Sequence, residues 1–285
     1  MRLSPAARSL GIVLLVLTAL LGSAYAIARS LVPDGLRSGV TTSATGPHYG
    51  DQPPPSGETG TRPSRSGDPA GPRKDTGEPE IVDGIRTYGA RSTTGTSTVA
   101  LTFDDGPDPR YTPQVLAILR DFNVTATFCV VGENAGNHPD LIQAIVADGH
   151  TLCNHTWNHD VTLGARSPDR IRADLLRTTE AIRAAAPDAP IAYYRQPGGA
   201  WTYPVVSVAQ ELGMIPLHWT VDPADWRVPG AGHIASTVTT GVEPGAVVLL
   251  HDAGGDRQGT VDALYRILPD LTSRFQVAAL PPDPT

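Results

Sequence analysis

Short apolar segments alternate with amphipathic segments from about Ile81 onward, and this alternation limits the possible folds more than any other feature. The apolar segments predict strands at residues 98–103, 125–131, 151–154, 192–195, 215–220 and 246–251. The segments between them predict helices at residues 112–122, 139–147, 168–186, 203–212, 234–240 and 261–268. Strands that alternate with helices favour a parallel sheet. We therefore predict an α/β fold whose parallel sheet is closed or nearly closed.

The first 28 residues have the pattern of an export signal. Arg2 and Arg8 precede an apolar run at residues 10–21, and the A-Y-A tripeptide at residues 24–26 offers a cleavage site. Residues 10–28 carry no charge and are long enough to span a bilayer, so an uncleaved N-terminal membrane anchor is the alternative. Both predictions place the remaining chain outside the cytoplasm, either extracellular or in the cell envelope.

A linker is predicted between this segment and the folded region. Residues 41–77 contain no Leu, Ile, Val, Phe, Met or Trp, and such a segment cannot bury enough apolar surface to order itself. We predict a disordered Pro/Gly/Ser/Thr-rich linker at residues 29–80 and one monomeric catalytic domain at residues 81–285. This domain carries 14 basic and 22 acidic side chains, which argues against nucleic acid and favours a neutral polymer as the partner.

Two adjacent carboxylates, Asp104 and Asp105, follow an apolar run at residues 99–101. Carboxylates at the edge of a core need a partner such as a metal ion or a proton. Neighbouring residues of a regular strand face opposite sides, so the two carboxylates share a pocket only if the strand ends there. Gly106 and Pro107 supply that end.

Two imidazoles, His155 and His159, share a face if their segment turns helically after its strand. Two imidazole nitrogens and one carboxylate oxygen suit zinc and leave room for a water molecule, whose pKa the ion lowers toward about 7. The other aspartate would then be the base. Non-haem iron oxygenases use the same ligand types but carry the carboxylate close to the first histidine, whereas Asp105 lies 50 residues upstream.

Further polar residues follow the later predicted strands, namely Arg195, Asp222, Asp225 and His251. Parallel α/β barrels place their active sites at the carboxyl ends of the strands. We therefore predict an active site at this end of the sheet.

Five motifs, in order along the chain, resemble those of the polysaccharide deacetylase family, the NodB-homology domain of carbohydrate esterase family 4. They are TFDDG at residues 102–106, HTxxH at 155–159, RxP at 195–197, DxxDW at 222–226 and LxH at 249–251. The resemblance covers roughly residues 95–280. It implies a distorted (β/α) barrel that removes acetyl groups from sugars with one divalent metal ion, for which we expect Zn²⁺, with Co²⁺ as the alternative.

The resemblance also implies a role for each motif residue. Asp105, His155 and His159 would hold the metal ion. Asp104 would be the catalytic base, and Arg195 would orient it.

His251 would be the acid that protonates the leaving amine, and Asp225 would tune it. Trp226 would buttress this pair, and Leu249 would line the pocket for the acetyl methyl group. A backbone N–H near Gly198 would stabilise the oxyanion together with the metal ion.

One position departs from the family pattern. The family often has an aromatic residue where this chain has Gly198. Trp201 or Tyr203 would replace it as a sugar-stacking surface, and ordinary packing is the alternative for both. The sequence motifs therefore define the type of reaction more closely than they define the substrate.

Cys129 and Cys153 fall in consecutive predicted strands. The exported context permits a disulfide bond, but neighbouring strands often orient two cysteines badly for one. The sequence alone does not decide whether this disulfide bond forms.

The predicted function is removal of N-acetyl groups from a glycan that contains N-acetylglucosamine, such as peptidoglycan or chitin-like oligomers. An O-deacetylase of acetylated xylan is one alternative, because the same site could perform that reaction. A non-catalytic glycan-binding domain is the other, and the complete set of base, acid and ligands argues against it.

Overall fold

The strands in the described part of the chain form one large sheet and one small one. The large sheet contains β3 Ala100–Asp104, β4 Thr127–Val130, β5 Thr151–Asn154, β6 Ile191–Tyr194, β7 Ile215–Pro216 and β8 Val247–His251. The small sheet is an antiparallel pair, β1 Ile81–Val82 and β2 Ile85–Arg86. The computed structural model describes residues 81–82 and 84–282, so the predicted export segment and the whole of the predicted linker lie outside the described residues.

Helices connect the strands of the large sheet. They are α1 Thr112–Asp121, α2 Gly132–Asn137, α3 Pro139–Ala147, α4 Pro168–Ala185, α5 Tyr203–Glu211, α6 Ala231–Gly241 and α7 Gln258–Arg274. Single 3₁₀ turns occur at Leu163–Ala165, Pro197–Gly199 and Asp225–Arg227. Among the described residues, no helix combines the length and the hydrophobicity needed to cross a membrane.

The large sheet is parallel throughout and has the strand order β7-β6-β5-β4-β3-β8. It curls until its two edges approach each other: the Thr220 N–H donates to the Val247 carbonyl at 2.9 Å, and the Leu249 N–H donates to the Val221 carbonyl at 2.9 Å. These bonds bring the segment that follows β7 against the free edge of β8. The predicted α/β fold with a distorted, nearly closed parallel barrel is therefore confirmed.

The predicted strand at residues 215–220 is shorter than expected. Only Ile215–Pro216 pair with β6 as a strand, because the chain then changes partners. The Leu217 N–H donates to the Tyr194 carbonyl, the His218 N–H donates to the Arg91 carbonyl, and Thr220 reaches β8. This exchange of partners closes the barrel.

Alternation along β3 determines which side chains enter the barrel. Leu101 and Phe103 belong to the core between the sheet and the helices, and Ala100 belongs to the barrel interior. All five residues of β3 are buried, as expected for a parallel strand that is covered on both faces. Thr102 and Asp104 share the inward face with Ala100, so β3 carries its polar residues toward the barrel axis.

A disulfide bond joins Cys129 of β4 to Cys153 of β5, with their Cα atoms 4.1 Å apart. The two residues are direct partners in the parallel register, and both contribute to the barrel interior. The structure therefore contains the bridge that the sequence left open. It ties together two strands just before their carboxyl ends.

Candidate active site

The predicted functional side chains meet at the carboxyl ends of the strands. Asp104 is the last residue of β3, and His251 is the last residue of β8 and its partner in register. His155 follows β5 directly, and Arg195 follows β6 directly. The parallel sheet thus collects residues that are up to 147 positions apart in the sequence at one edge.

Asp105 turns into the same pocket as Asp104 because the strand ends between them. Its φ of 75° lies in the left-handed region, which costs a residue other than glycine roughly 1–2 kcal/mol. The Asn134 side-chain amide donates to the Asp105 carbonyl at 2.8 Å and holds this conformation. A Cβ atom on Gly254 would lie 2.4 Å from Asp105 Oδ2, so the loop after β8 needs a glycine there.

The segment with the two histidines forms a turn and not the helical turn that was expected. Thr156 and His159 have φ values of 66° and 58°, and these left-handed residues bring both imidazoles to one side. The Asn154 side-chain oxygen accepts the Thr156 N–H, and the Thr156 hydroxyl accepts the Asp160 N–H. The shared face was predicted correctly, but the backbone that produces it was not.

Asp105, His155 and His159 can hold a divalent cation. Asp105 Oδ1 lies 3.5 Å from His155 Nε2 and 3.2 Å from His159 Nε2, and the three candidate ligand atoms all lie within 4.8 Å of one another. Asp105 Oδ1 is buried and has no hydrogen-bond partner among the described residues. A buried carboxylate oxygen without a partner is expected where a cation binds. The residues present therefore fit a three-ligand site of the zinc type.

The surroundings of these ligands prepare them for a cation. His155 Nδ1 lies 2.8 Å from the Arg195 carbonyl, so this nitrogen carries the proton and Nε2 keeps its lone pair. Burial alone would raise the pKa of Asp105, but the neighbouring imidazoles of His155, His251 and His159 hold it well below its ordinary value. The carboxylate is consequently ionised at neutral pH.

Asp104 is paired with a fully buried arginine. Arg195 Nη1 donates to Asp104 Oδ1 at 2.7 Å and to the Thr102 hydroxyl at 2.8 Å, while Nε and Nη2 donate to the carbonyls of Leu217 and His218. Because all of these donors are used, the buried guanidinium is held in one position. Asp104 Oδ2 remains available on the side of His155, 3.6 Å from its Nε2.

His251 is held by Asp225 at a distance that suits a charged pair. The ring Nδ1 of His251 lies 2.6 Å from Asp225 Oδ1, and the backbone N–H of His251 donates to Asp225 Oδ2 at 2.9 Å. Burial lowers the pKa of His251, but the Asp225 carboxylate, together with the weaker effects of Asp105 and Asp104, outweighs burial and raises it to about 9. The imidazole is therefore cationic at neutral pH, with Nδ1 bonded to Asp225 and Nε2 carrying a second proton.

Several supporting residues have no signal in the sequence motifs. The Thr260 hydroxyl donates to Asp225 Oδ2 at 2.7 Å, and the buried Arg257 donates to the Ala253 and Gly254 carbonyls. They act from α7 and the loop before it, which the motifs do not cover. A further supporting residue, Asp252, had only one signal in the sequence, which is that it directly follows His251.

Asp252 is a buried acid that the sequence reasoning missed. The Thr112 hydroxyl donates to Asp252 Oδ2 at 2.5 Å, whereas Oδ1 has no partner among the described residues. A Cβ atom on Gly106 would lie 2.5 Å from both carboxyl oxygens, so Asp252 packs directly under the turn that follows Asp105. Burial raises its pKa to about 7.

The five residues predicted to bind substrate differ in exposure. Trp226 and Tyr203 are exposed, at 39% and 70%, and Gly198 is exposed in its 3₁₀ turn with a φ of 62°. Leu249 is buried in the barrel interior, two residues before His251 and on the same face.

Trp201 is 5% exposed, and its indole N–H donates to His218 Nδ1 at 3.1 Å. Its ring also packs edge-on against Tyr194. The packing alternative therefore holds for Trp201, and its faces are not a surface for stacking on a sugar.

Comparison with known proteins places this site in context. Residues 91–217 match the family model described as polysaccharide deacetylase. A chitooligosaccharide deacetylase from a Bradyrhizobium strain is 41% identical over 208 residues, which are 69% of this chain and 94% of that protein. A peptidoglycan-N-acetylglucosamine deacetylase from Bacillus cereus is 38% identical over 175 residues, which are 61% and 81% of the two chains.

Solved structures show the same similarity. The crystal structure of a peptidoglycan N-acetylglucosamine deacetylase, Bc1960, has a TM-score of 0.63 and 36% identity, and the match covers 67% of this chain and 89% of that one. A family 4 carbohydrate esterase from Streptomyces lividans, in complex with acetate, has a TM-score of 0.59 and 28% identity, and the match covers 64% and 91%.

Proposed function

The chain belongs to the polysaccharide deacetylase family, and from this we propose that it removes N-acetyl groups from a glycan that contains N-acetylglucosamine. The relatives named as chitooligosaccharide and peptidoglycan deacetylases support this substrate class. The observation that carries the proposal is the placement of an arginine-held carboxylate, Asp104, and a cationic imidazole, His251, around the ligand set of Asp105, His155 and His159.

Two proton transfers follow from this arrangement. Asp104 Oδ2, whose partner oxygen is fixed by Arg195, takes a proton from the attacking water. His251 gives its Nε2 proton to the nitrogen of the leaving amine, and Asp225 stabilises the imidazolium before that transfer. A divalent ion held by Asp105, His155 and His159, for which we propose Zn²⁺ with Co²⁺ as a substitute, would lower the pKa of the water.

Release of free amine from N-acetylglucosamine oligomers tests this proposal. The wild-type chain should release amine after addition of zinc or cobalt, and a chelator should abolish the release. Asp104→Asn should lose turnover while it still binds the metal ion, because the three ligands are intact. Activity that survives the chelator would contradict the metal-dependent mechanism, and full turnover by Asp104→Asn would contradict the base assignment.

We also propose that the catalytic domain acts outside the cytoplasm. The charge-free run at residues 10–28 supports export, and the bridge between Cys129 and Cys153 supports an oxidising compartment. Cell fractionation followed by amino-terminal sequencing of the mature protein tests this. A mature chain that begins near residue 27 would indicate a cleaved signal, and an intact amino terminus in the membrane fraction would indicate an anchor.

A further inference from the structure

An open groove of about 600 Å³ lies along the amino-terminal half of α4, outside the site described above. Arg166, Arg170 and Arg177 line it, together with Asp160 and Asp174. We call it the arginine groove. Its volume is in the range of sites that bind small ligands or single sugar residues.

The arginine groove is attached to the loop that carries the metal ligands. Asp160 follows His159 directly in the chain, and Asp174 Oδ1 accepts the Trp157 N–H at 2.9 Å. The Arg177 guanidinium carbon lies 3.6 Å from the centre of the Trp157 ring, so this arginine stacks on the loop between the two histidines. A ligand in the groove would therefore sit beside the catalytic site.

The two acids in the groove are already engaged. The Asp160 carboxylate accepts the N–H and the hydroxyl of Thr162 and lies 3.9 Å from Arg166 Nε, and Asp174 is committed to the Trp157 backbone. The Arg170 guanidinium, by contrast, makes no hydrogen bond or ion pair with any other residue in the described part of the chain. Three arginines and two aspartates line the groove, so positive charge is in excess by one here, in a domain whose 22 acidic side chains outnumber its 14 basic ones.

We propose that the arginine groove binds a carboxylate carried by the glycan strand, so that the substrate is an acidic glycan and not a neutral one. A planar guanidinium recognises a carboxylate through two parallel hydrogen bonds, and Arg170 has all of its donors available. The carboxylate could belong to the lactyl ether of a muramic acid residue or to a peptide attached to it. This inference rests on the proposed function and specifies the substrate of the same site.

Two matched tetrasaccharides test the proposal. One is chitotetraose, which is neutral, and the other alternates N-acetylglucosamine with N-acetylmuramic acid and carries lactyl carboxylates. The measured quantity is the ratio of kcat/KM on the acidic tetrasaccharide to kcat/KM on chitotetraose. Arg170→Gln should lower this ratio about three- to tenfold, since it removes one charged hydrogen-bonding partner at an exposed site. Arg170→Lys should retain part of the ratio.

Arg172→Gln is the matched control. Arg172 lies on the same helix and loses the same charge, but it pairs with Glu211 and does not line the groove. It should leave the ratio unchanged. Equal ratios in Arg170→Gln, Arg172→Gln and the wild type would overturn the proposal and show an ordinary solvated face.

A binding experiment separates this inference from the proposed function. Calorimetry with Asp104→Asn and with Asp104→Asn/Arg170→Gln compares binding of the acidic tetrasaccharide without turnover, and the double variant should bind about three- to tenfold more weakly. Equal affinities would overturn the groove even if the enzyme is active. Absence of amine release from every glycan would overturn the proposed function even if the groove binds.

A third substrate identifies the source of the carboxylate. It is the same acidic tetrasaccharide with a stem peptide amide-linked to the lactyl group, which removes the lactyl carboxylate and adds peptide carboxylates. If Arg170→Gln lowers kcat/KM only on the peptide-free form, the lactyl carboxylate is the ligand. If it does so only on the peptide-bearing form, the peptide carboxylate is the ligand, and both results support the groove.

Discussion

Replacement of Asp225 by asparagine should remove the acid catalyst from the neutral and alkaline pH range. Asp225 bonds His251 through both carboxyl oxygens, and its charge is the largest of the effects that raise the pKa of His251 to about 9 against burial. Asparagine keeps a similar shape but carries no charge. The pKa of His251 should then fall toward its ordinary value, because burial lowers it and only the weaker effects of Asp105 and Asp104 still raise it.

The size of the effect follows from the two pKa values. With a pKa of about 9, roughly 90% of His251 is protonated at pH 8, and with a pKa of 6.5 only about 3% is protonated. If the pKa falls to 6.5, activity of Asp225→Asn at pH 8 should be lower by about 30-fold. The alkaline limb of the kcat/KM profile should move from near pH 9 toward about 6.5.

Amine release from N-acetylglucosamine oligomers between pH 5.5 and 10 measures the profile, and NMR titration of the His251 ring measures the pKa directly. Thr260→Val is the matched control, since it removes a hydrogen bond to Asp225 Oδ2 but leaves the negative charge. Its alkaline limb should stay near pH 9. If Asp225→Asn keeps the wild-type alkaline limb while its metal content and melting temperature are normal, the acid assignment of His251 is wrong.

Two further predictions concern stability. A Cys129→Ala/Cys153→Ala variant should lose about 2–4 kcal/mol of unfolding free energy in urea titrations, because it reopens a loop across 24 residues, and reduction of the wild type should cause a similar loss. Burial lowers the pKa of His150 to about 4, so the folded state binds fewer protons than the unfolded one, and stability should fall as pH drops from about 6.5 toward 4, by about 3 kcal/mol from this residue. His150→Asn keeps an acceptor for the Ala126 N–H, so its unfolding free energy should depend less on pH in that window, and an unchanged dependence would contradict the assignment.

The fold was largely predictable because the strands are short, apolar and separated by amphipathic helices. The strand at residues 151–154 was predicted with its observed bounds, since both faces of a parallel strand are buried. The last helix was predicted to end at Leu268, before a proline, but it continues to Arg274. Pro269 frees only the carbonyl of Tyr265, and both residues are on the exposed side of α7, where water can replace the missing donor.

The candidate site was predictable where spacing carries the chemistry. Asp105, His155 and His159 follow their strands, and parallel strands must bring such residues to one edge. Thr260 and Asp252 were not predictable, because a threonine on a helix or an acid beside a histidine is common and has no distinctive spacing. Their roles depend on contacts across more than 30 positions in the sequence, with Asp225 and Thr112 respectively.

The backbone conformation of the loops is the feature of this site that is hardest to predict from residue types. Asp105, Thr156 and Ala224 adopt left-handed conformations at or beside functional residues, each at a cost of roughly 1 kcal/mol or more. A nearby side chain holds each turn, since Asn134 donates to the Asp105 carbonyl, and side-chain oxygens of Asn154 and Asp222 accept the N–H groups of Thr156 and Ala224.

The ends of rigid strands bring the chemical groups close together, and these three polar side chains then bend the following loops so that the groups converge. Asn134, Asn154 and Asp222 therefore determine the geometry of the site although Asn134 and Asn154 belong to none of the five motifs. A search for the five motifs alone would find the ligands and the acid, but it would miss two of the three anchors that make them face one another.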